Sequence, residues 1–171
     1  MRKLMLALLV VLSAGALNAQ SKIGHVNSQK LLDTLPSRKA AITQLRDFEA
    51  SGMQELGEMQ KNLEEVYAIY DQKQASMSPV IQKIEQEKIM KKEQAFQERQ
   101  QSLQQEMQIY SNELNKPILD RVQKAVEIVS ERRKLNYVID ESVTLYFKGG
   151  TDITAEVLTE LLRMDAEAMK K

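Results

Sequence analysis

The side chains that could carry out acid–base chemistry are concentrated in the middle of the chain, where acidic and basic residues alternate. The 171 residues include 24 Asp and Glu against 24 Lys and Arg, so the formal net charge is zero. Opposite charges recur there three and four residues apart, which is typical of a solvated helix face rather than of a general acid–base pair. The lack of a basic excess also argues against a nucleic-acid partner. We therefore predict no enzymatic activity and no catalytic residue.

The residue types that bind metals or act as nucleophiles are nearly missing. The chain has no cysteine, which excludes thiolate metal sites and a cysteine nucleophile, and His25 is its only histidine. We interpret His25 as an exposed strand residue without a catalytic or ligand role. Gly149 and Gly150 precede a predicted helix, but they lack the lysine and the spacing of a phosphate-binding loop. The sequence thus predicts neither a metal site nor a cofactor.

The N-terminus has the three parts of a secretory signal peptide. A basic start, Met1–Lys3, is followed by an apolar run, Leu4–Leu12, and by the small residues of Ser13–Ala19. The apolar run is too short for a transmembrane anchor, so cleavage after Ala19 is the favoured interpretation. We expect residues 1–19 to be removed, and the mature chain to be exported and not membrane-spanning.

The long middle stretch of the mature chain has helical character and one clear break. The break falls at Ser76–Pro79, because proline removes a backbone donor and biases the preceding residue away from the helical region. We predict a long antiparallel helical hairpin over residues 36–116, with its tip near residues 76–79.

The apolar seam of this hairpin is thin and irregular. Apolar residues repeat in heptads along the first arm, but the pattern fails at Glu49 and Gly52. This failure is either ordinary helical variation or a compliant section that lets the arm bend. Pro117 predicts a kink where the second arm meets its base.

Strand-forming runs occur only near the two ends of the mature chain. Residues 22–26, 135–140 and 143–147 are predicted strands, and the last two form a hairpin or a sharp corner. Because these strands come from opposite ends of the chain, they must meet in one small sheet. The sheet belongs to an assembly body made of residues 20–35 and 117–171, and the hairpin is inserted between the two parts. The predicted class is α+β and mostly α.

Short helices complete the predicted body. Asn27 or Ser28 can cap the first one, which Pro36 ends or kinks, and Thr154 is predicted to cap the last one. Three short strands and two short helices form a small core with open sheet edges. We therefore expect the body to associate with further copies of the chain.

The ends of the mature chain carry a family resemblance. The strand Lys22–Asn27, the long helical hairpin, the strand Leu135–Asp140 and the helix start Asp152–Leu158, in that order, resemble the Skp/OmpH family of periplasmic chaperones. The resemblance covers essentially the whole mature chain. It implies a homotrimer with a jellyfish-like shape, in which a shared β-body carries three helical arms around a cavity. It also implies that the chain holds unfolded outer-membrane proteins in the periplasm without ATP and prevents their aggregation before membrane insertion.

The resemblance also implies where the functional residues lie. Assembly would be carried by strand and closing-helix positions, namely Ile23, Val26, Tyr137, Val138, Ile139, Val143, Leu145, Ile153, Val157 and Leu158. Clients would contact flexible apolar and cationic side chains of the arms, which suit irregular partners; these are Phe48, Met53, Met59, Tyr67, Met77, Lys88, Met90, Lys91 and Lys92.

The overall charge is where this chain departs from the family. Well-known members are strongly basic, whereas this chain is close to neutral, which disfavours lipopolysaccharide binding. The alternative function is an exported coiled-coil structural or adaptor protein that binds a folded partner. That alternative predicts stiff arms with a regular seam, so the break at Glu49 and Gly52 favours the chaperone.

Overall fold

A computed structural model describes residues 22–170, so the predicted signal peptide lies outside the described residues. The elements, in chain order, are β1 (Ile23–Val26), α1 (Ser28–Thr34), α2 (Pro36–Lys73), a 3-10 turn (Gln74–Ser76), α3 (Pro79–Arg133), β2 (Tyr137–Asp140), a second 3-10 turn (Glu141–Val143), β3 (Thr151–Asp152) and α4 (Thr154–Ala168). The predicted α+β, mostly helical class is confirmed.

The described chain forms two compact units. One, which we name the sheet unit, contains residues 22–36 and 119–170, and the other, the helical unit, is Ser37–Ile118. No helix among the described residues is long and apolar enough to cross a membrane.

The sheet unit is built on three parallel strands in the order β2–β1–β3. Ile23 is in register with Tyr137, and Gly24 is in register with both Val138 and Thr151. Gly24 suits this central position because a Cβ atom there would lie 2.6 Å from Cδ1 of Leu135. The meeting of strands from the two chain ends is confirmed, with the helical unit inserted between them in sequence.

The third strand was predicted in the wrong place. Residues 143–147 are not a strand, no hairpin follows β2, and the third strand is Thr151–Asp152. The Asp140 side chain accepts a hydrogen bond from the amide of Ser142, and Thr144 Oγ1 donates to the carbonyl of Asp140, so the chain turns as soon as β2 ends. Residues with high strand propensity form a strand only when a partner strand is available, and residues 143–147 have no partner strand within the described chain.

The helix starts follow local hydrogen bonding, with one correction. Of the two predicted candidates, Asn27 rather than Ser28 caps α1, since its side chain accepts from the amide of Lys30. Thr154 is not the cap of α4, because Ile153 occupies that position. Instead Thr154 Oγ1 accepts from the amide of Asn27, and its own amide donates to Asp152. These bonds join the start of α4 to the end of β1.

The core of the sheet unit is well packed. Its largest fully buried apolar side chains come from α1 and the residue after it, from α3, and from α4 and the residue before it: Leu31, Leu35, Val129, Ile153, Val157 and Leu161. Arg121 Nη2 contacts Asp165 Oδ1 at 3.0 Å, and the Asp165 side chain is only 1% exposed. A buried carboxylate is stable in such a core only when a cation compensates it.

The helical unit has contacts that reverse in order along its two helices. Side-chain partners further along α2 lie earlier on α3, and the pairs are Phe48–Tyr110, Glu55–Arg99, Tyr67–Glu93 and Tyr70–Gln86. The break between α2 and α3 falls at residues 74–78, which overlaps the predicted break at 76–79 and begins two residues earlier. α3 continues as a helix through Pro117.

Candidate functional site

Several of the predicted client-binding residues take part in contacts between α2 and α3. The Phe48 ring lies 5.1 Å from the Tyr110 ring, measured between centroids. The Tyr67 hydroxyl donates to the Glu93 carboxylate, and Lys92 Nζ donates to Asn62 Oδ1 at 2.5 Å. The bond to Glu93 is the main reason that the pKa of Tyr67 is raised. These side chains hold the two helices together in addition to any contact with a partner.

The methionines of the predicted set are more accessible. Met53 is 60% exposed and Met90 is 64% exposed, whereas Met59 and Met77 are half-buried. Lys88 and Lys91 are exposed as well, and Lys88 Nζ pairs with Glu85 at 2.7 Å.

Sequence reasoning missed a group of exposed branched side chains next to the helix break. Val80, Ile81 and Ile84 lie on the first turns of α3 and are all exposed, with Val80 at 68%. We name these three residues the tip patch. They follow Pro79 by one, two and five residues, so three branched apolar side chains at the start of a polar helix were visible in the sequence. Ile69 on α2 and Ile109 on α3 are further exposed isoleucines.

Two shallow grooves mark the surface of the helical unit. One has a volume of about 380 Å³ and its lining includes Met90 and Lys91. The other has a volume of about 330 Å³ and its lining includes Met59, Asn62 and Lys92. Both combine a methionine with polar side chains, and neither contains a catalytic constellation. Such surfaces suit weak contacts with irregular chains.

An ionic network joins α2 to α3 in the middle of the helical unit. Arg99 Nε donates to Glu55 at 2.9 Å and its Nη1 contacts Glu106 at 3.1 Å, while Ser102 Oγ donates to Glu106 at 2.6 Å. The bond from Ser102, followed by that from Arg99, outweighs desolvation and lowers the pKa of Glu106. The bond to Glu55 is the largest cause of the raised pKa of Arg99.

Gly52 has a packing role that the heptad pattern did not reveal. It is buried, and a Cβ atom placed on it would lie 2.3 Å from Cδ1 of Leu103, which is itself buried. Gly57, by contrast, has no atom within 4 Å of such a Cβ atom. The break in the seam at Gly52 is therefore a point of close helix approach.

The predicted assembly residues divide into a buried and an exposed group. Val26, Ile153 and Val157 are buried inside the sheet unit, where they pack its own core, and Val138 and Leu158 are half-buried. The exposed members are Ile23, Tyr137, Ile139, Val143 and Leu145.

Two aromatic residues that sequence reasoning did not select, Tyr146 and Phe147, are exposed beside the second group. The outer edge strand β2 borders a groove of about 370 Å³ lined by Val126, Leu135 and Tyr137 among others. Exposed apolar side chains next to an open sheet edge are typical of an interaction surface.

A polar cluster lies among the three strands of the sheet unit. His25 Nδ1 and Glu141 Oε1 are 2.7 Å apart, and Asn27 Nδ2 donates to the other Glu141 oxygen at 3.0 Å. The His25 side chain is only 16% exposed, so the prediction of an exposed strand residue was wrong. Hydrogen bonds from Thr154 are the main cause of the lowered pKa of Asp152, to which the nearby His25 adds.

Comparison with known proteins agrees with this architecture. Residues 22–161 match the family model described as outer membrane protein (OmpH-like). The chain is 28% identical to the chaperone protein Skp of Photorhabdus luminescens, over 94% of this chain and 99% of that protein. It is 26% identical to the chaperone protein Skp of Pectobacterium atrosepticum, over 90% of this chain and 93% of that one.

The fold has a counterpart among solved structures. A crystal structure of an OmpH-like protein from Caulobacter crescentus superposes with a TM-score of 0.74 and 16% sequence identity, over 85% of this chain and 86% of the other. The relatives that match in sequence are named as chaperones and not as enzymes, in agreement with the prediction that this chain is not an enzyme. The chain belongs to the OmpH-like family.

Proposed function

We propose that the chain is an ATP-independent periplasmic holdase, which binds unfolded outer-membrane proteins between helical arms and prevents their aggregation before membrane insertion. The observation that carries this proposal is the number of large apolar side chains that the helical unit leaves exposed, including Met53, Val80, Ile81, Met90 and Ile109. An unfolded β-barrel precursor exposes apolar segments and unpaired strand backbone, both of which aggregate in water.

The helical unit can hold such a client through many weak contacts. Its two grooves are shallow and of mixed polarity, so no single client shape is required. Contacts within one enclosure add up through effective concentration, while each one is easily broken when the client leaves. The chain's zero formal charge shifts the interaction towards apolar contacts and away from anionic lipopolysaccharide.

The arm of this proposal is an antiparallel helical hairpin. The reversed order of side-chain contacts along α2 and α3 supports it, from Phe48–Tyr110 to Tyr70–Gln86. The thin seam leaves side chains of both helices available to clients. We retain Met53, Met59, Met77, Met90 and the cationic Lys91 as client contacts and add the tip patch.

We further propose that three copies assemble through their sheet units after residues 1–19 are cleaved on export. The exposed group Ile23, Tyr137, Ile139, Val143 and Leu145 supports an interface there, because a lone chain would expose this apolar area to water. Residues 143–147 have strand-forming side chains without a partner strand in the described chain, so a neighbouring copy is a suitable partner.

The test uses the mature chain and an outer-membrane protein unfolded in urea. When the client is diluted out of urea, a molar excess of trimer should suppress light scattering without added nucleotide. Native mass spectrometry of the same sample should show three chains bound to one client. Unchanged scattering at molar excess would overturn the holdase, and it is the result expected of an exported coiled-coil adaptor that binds only folded partners.

A further inference from the structure

The polar cluster of the sheet unit has the composition of a metal site. His25 comes from β1, Glu141 from the turn after β2 and Asp152 from β3, and one potential ligand atom of each lies within 4.8 Å of the other two. We propose that these three side chains bind one divalent transition-metal ion of the zinc class. The ion would join the central strand to segments on both sides of it.

The donor set suits this class of ion. One imidazole nitrogen and two carboxylate oxygens are common ligands of zinc and of its neighbours in the first transition row, whereas calcium and magnesium prefer oxygen ligands alone. Ligand atoms around tetrahedral zinc lie roughly 3.4 Å apart when the bonds are about 2.0–2.2 Å long. His25 Nδ1 and Glu141 Oε1, which are 2.7 Å apart, therefore have to separate slightly to admit the ion, while Asp152 supplies the third ligand and water can take the remaining position.

Hydrogen bonds already orient both carboxylates. Asn27 Nδ2 holds the Glu141 oxygen that does not face His25, and the amide of Thr154 donates to Asp152 Oδ1 at 2.9 Å. Outer contacts of this kind fix the direction of metal ligands and raise metal affinity. For binding, His25 has to present a ring nitrogen without a proton, so uptake of the ion competes with protons.

The imidazole ring is also held in place by its surroundings. The Phe147 ring lies 4.9 Å from the His25 ring, measured between centroids. On another side the backbone approaches so closely that a Cβ atom on Gly150 would lie 3.3 Å from His25 Cδ2, and Gly150 has a φ of +97°, which favours glycine. The site thus combines the partly buried imidazole of His25 and carboxylate of Glu141 with the exposed but oriented carboxylate of Asp152.

The test follows from His25 being the only histidine of a chain without cysteine. The mature protein, prepared without a histidine tag, is titrated with Co²⁺ and followed by visible absorption, and Zn²⁺ is then added to displace it. We expect one ion per chain and a large change of the His25 ring nitrogen signals in ¹⁵N NMR spectra. This measurement on the unchanged protein needs no variant to fold.

Variants assign the ligands. His25→Gln should abolish the Co²⁺ spectrum, and Asp152→Asn, which can still accept the Thr154 bond, should weaken binding at least about tenfold. Asp33→Asn is the control, because the exposed Asp33 accepts from Gln29 in its own helix and lies outside the cluster, so the affinity of this variant for the ion should stay unchanged. The proposal would be overturned if the His25 ring nitrogen signals did not change when Zn²⁺ is added. It would also be overturned if His25→Gln bound the ion as tightly as the unchanged protein.

Discussion

The sheet unit and the helical unit use their apolar residues in opposite ways. In the sheet unit, helices packed against strands and against each other bury side chains such as Leu31, Val129 and Leu161 completely. In the helical unit two helices meet along one line, so only a few residues such as Leu56 and Leu103 are buried and many others stay exposed. The difference indicates that the sheet unit is specified by a core of its own, with an exposed apolar edge added to it, whereas the helical unit has only a thin core.

The largest effect is expected from a change inside the sheet unit. Asp165→Ala should lower the free energy of unfolding by about 3–5 kcal/mol, because it removes a fully buried carboxylate that pairs with the partly buried Arg121. Urea denaturation followed by circular dichroism measures this loss. Asp33→Ala, at an exposed aspartate that accepts only from Gln29 in the same helix, is the control and should change stability little. Equal losses in the two variants would contradict a core built around the Arg121–Asp165 pair.

A pair of glycine substitutions tests the close approach within the helical unit. Gly52→Ala should destabilise by about 1–2 kcal/mol, because the new methyl group displaces the buried Leu103. Gly57→Ala should instead stabilise by about 0.5–1 kcal/mol, since alanine is the better helix former and the space around Gly57 is open. Urea midpoints measured for both variants show directly whether each substitution raises or lowers stability. The same sign for both would mean that Gly52 is only a compliant position in the seam.

The tip patch should affect client holding without affecting stability. Replacing Val80, Ile81 and Ile84 together by serine should raise the protein concentration needed for half-suppression of client aggregation by about threefold or more, through loss of several weak contacts. The urea midpoint of this triple variant should shift little, because the replaced side chains are already exposed. A matched triple change of Asp71, Gln72 and Lys83 to serine controls for altered surface, because these residues are exposed near the helix break and line neither groove. Equal holding by both variants would exclude the tip patch from client binding.

The smallest effect concerns pH and the ionic network. Hydrogen bonds from Ser102 and Arg99 lower the pKa of Glu106, so its contribution to stability is present above the pKa of an unfolded glutamate, about 4.3. That contribution is lost as the pH falls below this value through the lower, folded pKa. The urea midpoint of Glu106→Gln should therefore lie slightly below that of the unchanged chain at pH 7, and the two should converge in acid. Glu113→Gln, at an exposed glutamate of the same helix, should show no such convergence.

Local signals in the sequence gave reliable predictions. The Asn27 cap, the strands Ile23–Val26 and Tyr137–Asp140 and the break before Pro79 all follow from residues within a few positions of each other. The same holds for the family resemblance, since its motifs are short runs of adjacent residues.

Features that depend on distant residues were missed. His25 is partly buried because Glu141, 116 residues away, reaches its ring, and nothing near His25 in sequence reveals this partner. Residues 143–147 have the composition of a strand, but the turn formed by Asp140 and Thr144 takes them away from the sheet. Gly52 looked like a weakness because its partner Leu103 lies on the other helix. In each case the deciding contact is tertiary.

The parallel pairing of β1 with β2 also constrains the order in which the molecule folds. Ile23 is in register with Tyr137, so the first strand of the sheet has no neighbour until the chain is almost complete. Closing so long a loop is slow compared with contacts between adjacent helices, and α2 and α3 are joined by a few residues only. A chain exported with its N-terminus first would therefore form its helices early, while its first strand stays unpaired. During that interval this protein would itself resemble the unfinished chains that need protection.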